Sequence, residues 1–140
     1  MLAEVQARLR TEVPALKLVA GAAELAALKN NPPKSKQPAA YVLPIADAAG
    51  PNSLAMAVSQ QVTERFGVAL ALGSHEDPRG DAASEAIVTV KRAVRDALLG
   101  WPPETGLEGC HYAGAKTVDF RGGVVWLLLE FTTTYHIRKT

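Results

Sequence analysis

One cysteine, Cys110, stands in a chain of 140 residues. It has no intramolecular partner, so a disulfide-stapled secreted scaffold is excluded. Charge of one sign is also missing: 15 basic residues face 14 acidic ones, for a net charge of +1. Global electrostatics therefore give no reason to expect nucleic-acid or membrane binding. Long hydrophobic runs are absent too. "GGVVWLLL" is the longest uncharged apolar stretch, far short of the ~20 residues that span a bilayer as a helix. The opening "MLAEVQARLRTEV" breaks its apolar pattern with charges and does not read as a signal peptide. Internal repeats and low-complexity segments are not seen. What remains is a chain with 48% apolar and 21% charged residues. That is ordinary for a globular domain working inside a cell or in an assembly built there. Its length suits a single domain over residues 1–140 with one proper core.

The pattern along the chain predicts an α+β architecture. Leu2, Val5, Leu9 and Val13 recur at helical spacing up to Pro14, which predicts an amphipathic helix. "LKLVAG" reads as a short strand and "AAELAALKN" as two turns of helix stopped by Pro32-Pro33. "NNPPKSKQP", at about residues 30–38, is rich in proline and amides and predicts a solvated, flexible loop. "AAYVLPIA" predicts a strand that lies at an edge or bends at Pro44. "DAAGPNS" predicts a turn, with Gly50, Pro51 and Asn52 each favouring it for a separate backbone reason.

A long strand is then expected from about Ala55 to Gly73. Val58, Gln60, Val62, Glu64, Phe66, Val68, Leu70 and Leu72 share one face. Thr63, Arg65, Gly67, Ala69 and Ala71 share the other. This second face becomes small near its end, as if a helix packed close against it. A long helix follows, capped by Asp77 with Pro78 at its first position or by Asp81. Ile87, Val90, Val94, Ala97 and Leu98 form its apolar stripe, and Gly100 with Pro102-Pro103 stops it. The last third predicts a hairpin about "RGG". Its second strand starts apolar on both faces and ends half polar, the reverse of the strand at 55–73. Paired antiparallel, the two strands place their polar ends together. The expected fold is two-layered: a mostly antiparallel or mixed sheet of about four to five strands, with one long helix packed on it and the N-terminal helices in that layer or at one end.

Chemistry is sparse. "HEDPRGD" holds His75, Glu76, Asp77 and Asp81 but no second histidine at ligand spacing, so a polar strand-to-helix turn explains it better than a metal site. Cys110 and His111 are neighbours on a strand and point to opposite faces, so they do not form a nucleophile–base pair. "RGG" lacks the lysine and the following helix of a phosphate loop. Glu64 and Glu130 occupy the wet ends of the two long strands. An acid–base pair is conceivable there, but exposed charges or a protein contact are the simpler reading. "PPKSKQP" has no interleaved aromatics and reads as a solvated loop rather than a phosphate-binding segment. Trp101 is expected to plug the core beside the helix stop. Trp126 lies on the strand face opposite Leu127 and Leu129. If helices cover one face only, the other set needs a partner, which favours an assembly over a free monomer.

The order of "GPN", "QQVTERFGVALAL", "AVRDALLGWPP" and "DFRGGVVWLLLEFTTTYHIR" resembles the tail terminator proteins of tailed bacteriophages and prophages. The likeness runs from about Ala39 to Arg138. No single motif in it is specific; the order is what carries it. It implies a structural virion protein with no catalytic, cofactor-binding or metal site. Its copies would form a hexameric ring that caps the tail tube, stops its elongation and offers the head or neck attachment surface. The implied partners are other copies of the chain, the tail tube protein and a neck or head–tail connector protein. DNA would pass through the channel without specific binding, and no membrane is involved. The implied place is the head-proximal end of the virion tail, after assembly in the host cytoplasm. Glu64, Arg65, Trp126, Glu130, Thr132 and Thr134 become candidates for subunit seams or the channel lining. Two other readings stand beside this one. One is a minor tail or neck completion protein at another position. The other is a small ligand-binding domain or enzyme using His75, Glu64 or His136.

Overall fold

The computed structural model describes residues 1–29, 37–73, 81–121 and 123–140. Its elements run α1 (Leu2–Glu12), β1 (Leu18–Gly21), α2 (Ala22–Ala27), β2 (Ala39–Ala49), β3 (Val58–Gly73), α3 (Asp81–Leu98), β4 (His111–Arg121) and β5 (Val124–Lys139). The strands form one five-stranded sheet in the order β1-β2-β3-β5-β4. β1 pairs parallel to β2, and every other pair is antiparallel. The sheet is therefore mixed, with its one parallel pair at the β1 edge. A parallel pair needs a crossover, and the segment carrying α2 supplies it.

The two long strands pair as their gradients predict. Phe66 faces Phe131, Val68 faces Leu129 and Leu70 faces Leu127. Towards the other end Arg65 faces Thr132 and Thr63 faces Thr134. Even positions of β3 and odd positions of β5 therefore share one face. On this helix face Val5 and Leu9 of α1, and Val94 and Leu98 of α3, bury completely against Phe66, Val68, Leu70, Leu129 and Phe131. The heptad-like spacing of these helix residues is what turns them all to the sheet. Phe66 and Phe131 stack at 5.6 Å, and Tyr112 leans on Phe131 at 5.5 Å.

α2 departs from the two-layer expectation. Its Leu25 and Leu28 pack on the opposite face, with Ala20, Ala39, Tyr41, Ala69 and Ala71. The small side chains of β3 on that face do admit a close helix, but it is this short one. The long helix takes the bulky face, where its stripe has more apolar area to cover. With only six residues, α2 covers one corner, and among the described residues the rest of its face has no helical layer.

α1 is tied in at two points. The Arg10 guanidinium donates to Val19 O at 2.9 Å, and Arg8 Nε donates to Ala97 O at 3.0 Å. Ala97 O is among the carbonyls left unpaired at the end of α3, so Arg8 satisfies an orphan acceptor. Its guanidinium also lies 5.3 Å from the Trp101 ring centroid. Trp101 packs against the core as expected. α3 ends at Gly100 in the left-handed conformation, φ +75°, which only glycine adopts freely. The proposed caps Asp77 and Pro78 lie outside the described residues.

Asp47–Ala49, expected as part of a turn, instead continue β2. Asp47 pairs with Glu64, Ala48 with Thr63 and Ala49 with Val62. The bend expected at Pro44 is present as a register shift between Pro44 and Ala46, a bulge that spares the proline a ladder bond it cannot donate. The far ends of β2, β3 and β5 thus form a three-stranded arm running beyond the helical layer. β3 itself begins at Val58, not Ala55. Asn52 organises the tip between. Its Oδ1 accepts from Leu54 N and Ser59 N, and its Nδ2 donates to Leu54 O and Ala57 O. Asn52→Ala is expected to lower stability by about 2 kcal/mol, since several modest bonds go at once. Urea denaturation reads the loss, and hydrogen exchange should show the Leu54 and Ser59 amides losing protection.

Candidate functional site

The predicted site residues divide between the two faces. Arg65, Trp126, Glu130, Thr132 and Thr134 all lie on the face opposite α1 and α3, by the register that pairs Arg65 with Thr132 and Thr63 with Thr134. Glu64 lies on the other, opposite Thr133. Glu64 and Glu130 consequently do not form a carboxylate pair: the sheet separates them. Glu130 instead meets Arg65, with Oε1 3.7 Å from Nη1. With Arg65 42% exposed and Glu130 21%, the pair adds little to stability and is free to exchange partners. Glu64 accepts a long hydrogen bond from Tyr135 Oη at 3.4 Å. Partial burial, then the Glu64 and Asp47 carboxylates, push the Tyr135 phenol upward.

The open face grades from apolar to polar along the strands. At its apolar end Leu25, Leu28, Leu43, Ala69, Val118, Asp119, Trp126 and Leu128 line an open groove of about 330 Å³. Trp126 leans on Tyr41 at 5.8 Å, which fixes the indole as one wall. Beyond it come Glu130 with Arg65, and then Thr132 and Thr134. Thr134 Oγ1 is buried with no hydrogen-bond partner among the described residues. The outer strand β4 has register shifts at Tyr112/Gly114 and Thr117/Asp119, bulges that blunt an edge against further strand pairing.

A second depression, of about 430 Å³, lies at the polar end and is lined by Met1, Glu64, Glu104, Thr105, Gly106, Leu107, Tyr135 and His136. Glu64 and His136, named above for an enzymatic reading, do border one hollow. The charged contacts across its rim are already paired: the Met1 amino group meets Glu104 and Glu4, and both carboxylates raise its pKa. His75 lies outside the described residues. Among the described residues no group of three or more metal-ligating side chains comes together, and no helix is long and apolar enough to cross a membrane.

Cys110 is fully buried and His111 is exposed, as their opposite strand directions predict. Burial pushes the thiol up to about 11, the reverse of what a nucleophilic cysteine needs. Its role is structural. Cys110 N donates to Trp101 O at 3.0 Å, and Gly100 N donates to Cys110 O at 2.8 Å. These bonds lock the end of α3 to the start of β4. Gly109 makes that approach possible, a role its sequence context gave no sign of. A Cβ there would stand 2.5 Å from Gly100 O.

The described surface is thus that of a packing module: an interior face closed by helices, an open face running from an apolar groove to a polar arm, and few converging reactive groups. Comparison with known proteins gives the family. The phage tail terminator protein model matches residues 2–140, and the chain belongs to that family. It is a structural protein of phage tails. Among solved structures, a chain from "Virion of native gene transfer agent (GTA) particle" is similar, with 21% identity and a TM-score of 0.49 over 94% of each chain. No individually curated protein matches.

Proposed function

We propose that the chain acts as one domain over residues 1–140 and closes into a hexameric ring. The ring caps the tail tube, stops its elongation and presents the head or neck attachment surface. The observation that carries this reading is the open sheet face. Trp126, Leu128 and Leu43 sit there with, among the described residues, only α2 covering one corner, and apolar sheet faces of this kind are normally packed against something. In the ring, Trp126 belongs to a subunit seam. Arg65, Glu130, Thr132 and Thr134 continue that surface along the arm, at seams or along the channel. Glu64 lies at a separate contact, on the helix face beside residues 104–107. Near-neutral net charge suits a channel that DNA traverses without being held. The partners are the tail tube protein and a neck or connector protein, the place is the head-proximal end of the tail, and assembly occurs in the host cytoplasm. Residues 30–36 of the expected loop lie outside the described residues.

Native mass spectrometry across a concentration series, alone and with purified tail tubes, tests the ring. A discrete six-subunit species in either condition is the expected result. A monomer in both contradicts it. Each true seam should also remove more than the ~1,000 Å² of surface that separates real interfaces from incidental contacts.

A further inference from the structure

We infer that the β2–β3 tip of one copy, led by Met56, seats in the open-face groove of the next copy. This rests on the ring reading above and names its seam. Eight large apolar residues are exposed among the described residues, and five of them lie on the arm: Ile45, Leu54, Met56, Val58 and Ile137. Met56 is 97% exposed and Leu54 49%. The tip that carries them is built, since Asn52 holds it through four hydrogen bonds. An ordered loop that displays a methionine has already met part of the entropic cost of docking, and methionine adapts to irregular apolar hollows.

The groove is the matching acceptor. A cavity of about 150 Å³ holds a benzene-sized group, so the 330 Å³ here takes two side chains of the size of Met56 and Leu54. The two surfaces cannot meet within one copy. Val58 and Ala69 lie on the same strand, about 36 Å apart at the rise of an extended chain. Two distinct complementary patches on one chain make a head-to-tail contact, the kind that closes rings rather than two-fold dimers. The area is also adequate. The arm runs about 26 Å beyond Phe66, and three strands at their usual spacing give roughly 370 Å² per face. Both faces and the tip come to on the order of the 800 Å² that a standard interface takes from each partner. Strand addition at β4 is the competing mode, and the two bulges there oppose it.

The test is a cysteine pair in the full chain, Met56→Cys with Leu28→Cys, oxidised under mild conditions and run without reductant. Cys110 is buried and takes no part. The double variant should give a covalent ladder up to ring size, while a mixture of the two single variants should stop at dimers. Met56→Asp should weaken assembly at least tenfold with an unchanged melting temperature, because Met56 touches little of its own chain. A parent ring that forms while the double variant gives no ladder and Met56→Asp assembles normally overturns the seam and leaves the ring standing. Cross-linking of Met56→Cys to the tube protein instead of a second copy also overturns it. A parent that stays monomeric with and without tubes overturns the ring reading itself.

Discussion

Phe66→Ala is expected to lower the unfolding free energy by about 4 kcal/mol, within the range for emptying a fully buried aromatic site. For a chain of this size that is a fall of roughly 8–16 °C in melting temperature. Phe66 is completely buried and stacks on Phe131 across the β3–β5 ladder. The position matters as much as the area. On the same face the next pair outward is Glu64 with Thr133, where the buried Thr133 hydroxyl donates to Glu108 O, so the two rings are the last fully buried apolar pair before the arm. Removing one opens a cavity at the root of the arm. Phe131→Ala should be of similar size, and the double variant should fall short of the sum by about 1 kcal/mol, the coupling of an aromatic pair. Additive losses would mean that the stacking contributes nothing beyond burial.

The second large effect is at Gly109. A methyl group there would sit 2.5 Å from Gly100 O and 2.8 Å from Gly100 C. Both are backbone atoms, so no side-chain rotation relieves the overlap. Gly109→Ala must therefore push the start of β4 away from the end of α3. The hydrogen bonds from Gly100 N to Cys110 O and from Cys110 N to Trp101 O stand directly in that path. The expected loss is about 3 kcal/mol, the upper part of the range for inserting a methyl group into packed structure. Chemical denaturation measures it. Alkylation of Cys110 gives an independent readout, because a displaced β4 exposes a thiol that is closed off in the parent. A variant that melts like the parent and leaves Cys110 unreactive would show that the approach at Gly109 relaxes without strain.

The parts of the fold that were legible in the sequence are those with a gradient or a period. β3 and β5 carry opposed apolar-to-polar gradients, and only antiparallel pairing brings both polar ends together. α1 and α3 show their stripes directly, and Gly100 announces its own helix end. Register was not legible. Both glutamates lie at wet strand ends, yet the pairing of Phe66 with Phe131 puts Glu64 and Glu130 on opposite faces. Asp47–Ala49 have no hydrophobic alternation and belong to β2 only because Thr63, Glu64 and Val62 are there to pair with. The side taken by α2 depends on how the chain crosses the sheet between β1 and β2, which local pattern does not encode. Of the site, the shared face of Trp126, Glu130, Thr132 and Thr134 follows from strand parity alone. The groove beside it needed Leu25, Leu28 and Val118 from two other elements.

The most direct test of the terminator role is the length of tail tubes grown from purified tube protein, with this chain added partway and the tubes imaged by electron microscopy. Growth should stop on addition, with a ring of density at one end of each tube. Tubes that keep lengthening with bare ends, or that carry the protein along their sides, would contradict it.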